Sequence, residues 1–425
     1  MGSGISSKPE QAGHGAPFCS FTTVFNNYFL PDELPDRMDT SAKEQETYSL
    51  KSGDVLLTRT SETLDELGMS SVALRDYPNA TFSGFLKRLR PQQIDKVYPK
   101  YFAFYLRSRT FRQAMNNNAV MTLRCSLNEQ IFSYLDVLLP SYDQQKKIGD
   151  FLFQIYAKIE LNNQINSQIE GIAKLLYDYW FVQFDFPMNA SQAAALGKPQ
   201  LAGKPYRASG GRMVYNEFLK RNVPEGWELN KLGDIVESIS TGLNPRQHFT
   251  LGSGSNFYVT IKSIEHGKLL LDSKCDRIND SALNRINQRS DLRPGDILFT
   301  SIEPVGRLYL IQETPRNWNI NESLFSIRPN RERVNSSYLY YFLSSHDCKG
   351  YCKKVSTGSI HQGIRIAALR DYTFPLPEKQ LLEAYRKICE PLLKQVHTLN
   401  KQNEELTQLR DWLLPMLMNG QVSVA

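Results

Sequence analysis

Gly53-Asp54-Val55-Leu56-Leu57-Thr58 recurs as Gly295-Asp296-Ile297-Leu298-Phe299-Thr300, 242 residues further along the chain. In both places a Gly-Asp turn leads into a short apolar run closed by Thr, the pattern of a buried strand entered from a tight turn. Two further matches follow in the same order. Tyr134-Leu135-Asp136-Val137-Leu138-Leu139-Pro140 is echoed by Arg370-Asp371-Tyr372-Thr373-Phe374-Pro375-Leu376-Pro377, the Leu-Pro pairs lying 237 residues apart, and Leu161-Asn162 by Leu399-Asn400 at 238. Three ordered matches at nearly one offset make the chain two copies of one unit.

Each copy opens with strand-like runs, such as Asn256-Phe257-Tyr258-Val259-Thr260-Ile261, and continues past its Leu-Pro pair into a long helix. In the first helix Ile148, Leu152, Ile155, Ile159, Ile169, Ile172, Leu176 and Tyr179 fall at steps of three and four, a coiled-coil seam. In the second, Tyr385, Ile388, Leu392, Val396, Leu399, Leu406, Leu409 and Leu413 do the same, and Pro391 is placed to bend it. Asn162, Asn166 and Asn403 interrupt the seams; they either fix the register between helices or face solvent at a stutter. A helix of about forty residues spans roughly 60 Å, too long for the interior of a small domain, and because their apolar seams would otherwise face water the two helices are expected to pair with each other, antiparallel.

The predicted fold class is α+β, two α/β domains joined by two long antiparallel coiled-coil helices with an internal pseudo-twofold repeat. The expected boundaries are 1–140 and 224–377 for the domains, 141–186 and 378–425 for the helices, and 187–223 for a linker. That linker, around Met188 to Gly211, is rich in Ala, Gly, Ser and Pro and lacks periodicity. The second copy begins with Pro224-Glu225-Gly226-Trp227, a lead-in missing from the first.

Of the 425 residues 41% are hydrophobic and 22% charged, and no apolar run approaches eighteen residues, so a globular, cytoplasmic protein without a membrane span is expected. Met1-Gly2-Ser3-Gly4-Ile5-Ser6 fits a myristoylation pattern formally, but no polybasic stretch follows. Six scattered cysteines indicate reduced thiols. The spacing of His346, Cys348, Cys352 and His361 invites a zinc reading, against which stands the apolar helix Tyr338-Leu339-Tyr340-Tyr341-Phe342-Leu343 before it and the lack of a second Cys pair. A formal net charge of +6 permits a polyanionic partner without requiring one.

Catalytic signatures are missing. The chain holds no Walker phosphate loop and no Gly-x-Gly-x-x-Gly after a strand; Gly252-Ser253-Gly254-Ser255-Asn256 precedes a strand instead. No Pro-Pro dipeptide exists to form an amino-methyltransferase tetrapeptide, and Asp272, Lys274 and Asp276 read as a charged loop rather than a nuclease metal site. No catalytic residue, metal or cofactor is expected.

Binding residues are more coherent, because bases and phosphates are contacted by Arg, Lys, amide and hydroxyl side chains on loops. The second copy offers Asn244, Arg246, Gln247 and His248; Thr300, Ser301 and Arg307; and Thr357, Ser359, His361, Gln362 and Arg365. The first offers Ser6, Ser7, Lys8 and Gln11; Thr58, Arg59, Thr60 and Ser61; and Thr122, Arg124, Ser126 and Asn128. Lys8, Thr58, Arg59, Arg124, Asn244, Arg246, Thr300, Ser301, Arg307, His361, Gln362 and Arg365 are the candidate DNA contacts. Corresponding loops differ in side chain on matching scaffolds, as two readers of different half-sites require. A self-contained methyltransferase or endonuclease would need the missing motifs. A coiled-coil adaptor without DNA binding would leave the paired loop sets without a purpose.

Leu139-Pro140-Ser141-Tyr142-Asp143-Gln144-Gln145-Lys146-Lys147-Ile148, closing with Leu176-Tyr177-Asp178-Tyr179-Trp180-Phe181-Val182-Gln183-Phe184-Asp185-Phe186-Pro187, resembles the central helical region of Type I restriction-modification specificity subunits. Lys204-Pro205-Tyr206-Arg207 running into Val223-Pro224-Glu225-Gly226-Trp227 resembles the entry to their second recognition domain. The chain departs from the pattern at Glu378-Lys379-Gln380 and in the missing first lead-in. The resemblance implies two target-recognition domains on a helical spacer, reading double-stranded DNA as two half-sites. It also implies assembly with two modification subunits, which carry S-adenosylmethionine and methylate adenine, and with ATP-using restriction subunits. Tyr179, Trp180, Phe181 and Trp412 are candidate aromatic anchors for those partners, or domain core.

Overall fold

The computed structural model describes residues 1–425 except 7, 62–65, 119, 122–124, 127–134, 359–361 and 425. The chain forms two compact units, Met1–Asn162 with Gln402–Ala425, and Asn163–Lys401. The long helices Tyr142–Tyr177 and Lys379–Met418 each give one stretch to each unit.

In the first unit the repeated motif is the strand Val55–Thr58, with Val55, Leu56 and Leu57 fully buried. It lies inside an antiparallel sheet ordered Gly2–Ser3, Leu86–Leu89, Val55–Thr58, Ser70–Val72, in the register Val55↔Leu89 and Thr58↔Leu86. Both faces are covered, which is why the strand is apolar without alternation. Leu56 packs with Cys19 and Phe82; Val55 and Leu57 pack towards Tyr101 and Phe104 of the helix Pro99–Arg107. Ile148 and Leu152 of the first long helix and Leu414 and Leu417 of the second complete that core. A smaller sheet sets Ala12–Cys19 between Asp36–Met38, antiparallel, and Thr81–Phe82, parallel.

Asp54 makes the turn into the central strand possible. Its carboxylate accepts the Lys51 N–H (2.8 Å) and both forks of the Arg90 guanidinium (2.6 Å each). The long helices in this unit run in opposite directions and meet through Asn162. Its amide donates to Gln402 Oε1 (2.9 Å) and Asn403 Oδ1 (2.8 Å), and Asn403 donates to the Ile159 carbonyl (3.4 Å). Asn162 is fully buried and Asn403 nearly so, so the register reading of these amides is the one the structure supports.

The second unit has the same plan. Ile297–Thr300 sits in a sheet ordered Val236–Thr241, Leu324–Pro329, Ile297–Thr300, Leu308–Leu310, with Ile297↔Ile327 and Thr300↔Leu324 opposite. Asn256–Val259 lies between Asp276–Ile278, antiparallel, and Trp318–Ile320, parallel. The Asp296 carboxylate accepts the Arg293 N–H (2.9 Å) and a bidentate Arg328 guanidinium (2.8 and 2.7 Å). Leu298 faces one core; Ile297 and Phe299 face the other, with Tyr338 and Phe342 of the helix Ser336–Ser344. The long helices here pair through Asn166 Nδ2 to Asn400 Oδ1 (2.9 Å) and through Tyr385 packed near Ala173.

One expectation changes in this unit, and one open alternative is decided. Residues 187–223 are not an open connection: Ala190–Ala195 is a helix, Met213–Asn216 pairs with Arg221–Pro224 as a hairpin, and Met188, Ala193, Tyr206 and Val223 are core. Composition and missing periodicity describe short elements anchored by single residues as well as they describe a linker. Trp180 and Phe181, two of the candidate anchors, are each 5% exposed. Phe181 stacks edge-on against Tyr338 (4.9 Å) and Tyr385 (5.0 Å), so these two rings bind the long helices to their own unit. Tyr179 is half-buried against the same core, and Trp412, in the first unit, is 60% exposed.

Asn162→Ala is expected to remove the donor from the buried Asn403 side-chain oxygen and to cost about 1–3 kcal/mol. Replacing Asn162 and Asn403 together by Leu is expected to recover most of that, read by chemical denaturation of the double-mutant cycle. Asp296→Ala strands Arg328, whose side chain is 17% exposed, and should cost roughly 3–5 kcal/mol. Asp54→Ala should cost less, because the 41% exposed Arg90 can turn into water.

Candidate nucleic-acid interface

The strand-ending threonines hold loops rather than face a ligand. Thr58 Oγ1 donates to the Glu66 carbonyl (2.8 Å) and accepts the Met69 N–H (2.9 Å), while the Gly68 N–H donates to the Thr58 carbonyl (3.0 Å). Thr300 Oγ1 donates to the Pro304 carbonyl (2.5 Å) and accepts the Arg307 N–H (2.9 Å), with Gly306 N–H on the Thr300 carbonyl (3.0 Å). Both threonines are fully buried. Ser301, 5% exposed, donates its hydroxyl to the Ser323 carbonyl (2.8 Å). These three side chains, expected to contact DNA, are spent inside the fold, because a hydroxyl at a strand end satisfies the loop's backbone groups. The pinched loop also explains the sequence offset: Thr58 and Gly68 are ten positions apart, Thr300 and Gly306 six, and the offset falls from 242 to 238 across it.

In the second unit the candidate loops converge. Gly242 N–H donates to the Asn321 carbonyl (3.1 Å), and the Asn244 amide to Glu322 Oε1 (2.8 Å). Ser301 N–H donates to the Ser323 carbonyl (2.9 Å), Ile364 N–H to the Ser301 carbonyl (2.8 Å) and Glu303 N–H to the Gln362 carbonyl (3.0 Å). Loops starting at residues 242, 301, 321 and 362 thus form one surface. Arg246, on the short helix Pro245–His248, is exposed there, as are Gln362 and Arg365. Asn244 is half-buried and caps that helix by accepting the Arg246 N–H (2.9 Å). Arg307 is exposed but donates to the Ile264 carbonyl (3.1 Å), so its charge is tethered. Beneath the loop, the Tyr258 hydroxyl donates to the Leu243 carbonyl (2.6 Å). Burial, with the Glu322 carboxylate beside it, pushes that phenol well above its ordinary range and keeps it a donor at neutral pH.

The first unit builds the corresponding surface. Ile5 N–H donates to the Phe82 carbonyl (2.9 Å), Gly84 N–H to the Ile5 carbonyl (2.7 Å) and Arg59 N–H to the Phe85 carbonyl (2.8 Å). The Lys8 and Arg59 side chains are exposed. Arg124 and His361 lie outside the described residues.

Three residues escaped the sequence reading. Arg285, on the helix Asp280–Asn287, donates to the His248 carbonyl (3.0 Å), and Arg289 just beyond it reaches Thr241 Oγ1 (3.3 Å), which adds two exposed cations to the Arg246 loop. Their sequence signal is a polar face opposite Ala282, Leu283 and Ile286, indistinguishable from any solvated helix. Phe85, 60% exposed beside Arg59, is the third. Four arginines (Arg246, Arg285, Arg289 and Arg365), the Asn244 amide and Gln362 on a surface of fixed loops can contact phosphates and base edges. Thr300→Val should lower stability by about 1–3 kcal/mol by stranding the Pro304 carbonyl and Arg307 N–H, and should weaken DNA binding because the Ser301 loop loses its anchor; denaturation and gel shift at fixed salt read the two effects.

Comparison with known proteins agrees with this geometry. A family profile described as Type I restriction modification DNA specificity domain matches residues 2–171 and again 224–408. The chain is 25% identical over 464 aligned positions to the Type I restriction enzyme HindI specificity subunit of Haemophilus influenzae, covering 95% of this chain and 94% of that one. It is 23% identical to the MjaIX specificity subunit of Methanocaldococcus jannaschii, covering 83% and 75% respectively. The crystal structure of a Type I restriction-modification S subunit from M. genitalium superposes with a TM-score of 0.55 at 13% identity, over 98% of this chain and 92% of that one, a likeness of fold.

Proposed function

The chain belongs to the Type I restriction-modification DNA specificity family, and we propose that each of its two units reads one half of a bipartite double-stranded DNA target. As a specificity subunit it recognises DNA sequence and is not itself the catalyst. The observation that carries the half-site reading is the duplicated scaffold with unlike loops: the same sheets, buried Asp–Arg pair and pinched threonine in both units, with Arg59 after one central strand and Ser301 after the other.

In this reading Arg246, Gln362 and Arg365, with Arg285 and Arg289, form the second unit's contact surface, and Lys8 and Arg59 serve the first. Arg124 and His361 stay candidates from the sequence. The recognition domains are 1–140 and 224–377, and the two long helices act as an antiparallel coiled-coil spacer. Double-stranded DNA, two modification subunits and restriction subunits are the partners, the exposed Trp412 and half-buried Tyr179 being the aromatic groups left for docking. No described helix is long and apolar enough to cross a membrane, and in this reading the chain meets its DNA in the cytoplasm.

The chain alone should transfer no labelled methyl group to DNA and should direct adenine methylation only beside a modification subunit. Exchanging residues 1–140 for the corresponding segment of a related subunit should change one half of the methylated target and leave the other intact, as read by methylome sequencing. A change in both halves would defeat the half-site reading. Arg246→Ala or Gln362→Ala, where the side chain meets a base edge, should cost roughly 1–3 kcal/mol of binding and relax one position; Lys8→Ala, at a phosphate, should weaken all sequences alike and flatten the salt dependence.

A further inference from the structure

A short exposed feature repeats in both units, outside the converging loops. In the first unit the strand Ala12–Cys19 is broken by a bulge between Ala12 and Ala16, both opposite Met38, and the extra residues form an exposed finger, Gly13-His14-Gly15. In the second unit Gly252-Ser253-Gly254, also exposed, leads into Asn256–Val259. The backbones correspond closely. The first glycines have φ of 89° and 86°, the second 88° and 97°, a region that favours glycine. A Cβ on Gly15 would meet the Met38 carbonyl oxygen at 2.6 Å and Asp39 Cα at 2.9 Å; on Gly254 it would meet the Ile278 carbonyl oxygen at 2.4 Å and Asn279 Cα at 2.6 Å. The partner strands are Asp36-Arg37-Met38 and Asp276-Arg277-Ile278, so each finger has an arginine at its base. Arg277 donates to the Ser255 carbonyl (3.0 Å) and lies 3.6 Å from the centre of the Phe257 ring.

We propose that these Gly-x-Gly fingers are base-reading elements, with His14 and Ser253 as the tip residues that help to specify the two half-sites. The proposal rests on the half-site reading above and extends it to residues outside the converging loops. Each finger directly follows a candidate contact loop, Lys8 to Gln11 in one unit and Asn244 to His248 in the other. Flanking glycines remove the side chains that would keep a backbone away from a groove, and they leave one side chain at the front. The scaffold is duplicated down to the backbone atoms its glycines touch, while the tip differs, which is the pattern of divergence that separate half-sites demand.

The tips differ in chemistry as well. His14 Nδ1 lies 3.3 Å from the Ala12 carbonyl oxygen, and in the neutral tautomer that donates to it Nε2 is an acceptor. An acceptor matches the exocyclic amino group of adenine or cytosine in the major groove, whereas the Ser253 hydroxyl donates or accepts.

The test uses the chain assembled with its modification subunit and maps methylated sites for the wild type, His14→Ser and Ser253→His. Neither substitution touches a core, so the complexes should assemble and methylate. The proposal expects each variant to change preference at one base pair of one half-site, on the order of tenfold to a hundredfold, and to keep the other half. Wild-type targets and preferences in both variants would overturn the fingers while leaving the half-site reading intact. An equal loss on every sequence with a shallower salt slope would also overturn base reading, since it marks a phosphate contact. A wild-type complex whose methylated sites show no bipartite pattern would instead defeat the half-site reading and the fingers with it.

Discussion

A carboxylate out of reach of water organises each unit. Asp54 and Asp296 are buried, and an unpaired charge there would cost several kcal/mol, so the neighbouring chain must supply donors: one backbone N–H from the turn and a two-pronged guanidinium from the strand beside it. This joins residues 36 positions apart in one unit and 32 in the other and sets the register of the two central strands. The order of the sheet, the apolar strand covered on both faces and the position of the loop after Thr58 or Thr300 all follow from that register.

The long helices answer a different constraint. Their apolar faces close the cores of both units, through Ile148, Leu152, Leu414 and Leu417 in one and Tyr177, Phe181, Tyr385 and Leu393 in the other. Apolar packing alone tolerates a shift of one turn, but an amide buried opposite a leucine does not. Asn162 with Gln402 and Asn403, and Asn166 with Asn400, therefore choose one alignment among several that the leucines would accept.

On this frame a recognition surface can vary freely. The pinched loop loses four residues between the copies without disturbing the strands on either side, because its ends are tied by the threonine hydroxyl. A surface built in this way can change its contacts to DNA at little cost in stability.

The sequence by itself determined the duplication, the buried central strands, the two long helices and the character of the loops, because periodicity, turn residues and repeats are local properties. Only the tertiary structure decided which polar residues are free. Thr58, Thr300 and Ser301 look like Arg246 or Gln362 in the chain, as polar groups just past a strand, yet their hydroxyls meet carbonyls 4 to 22 positions away. Trp180 and Phe181 read equally as partner anchors or as domain core until Tyr338 and Tyr385, more than 150 positions away, close over them. The segment 187–223 has the composition of a linker and the burial of a domain edge. Arg285 and Arg289 gain a meaning only beside His248 and Thr241. Burial and hydrogen-bond partnership are set by residues distant in the chain, so no local pattern can announce them.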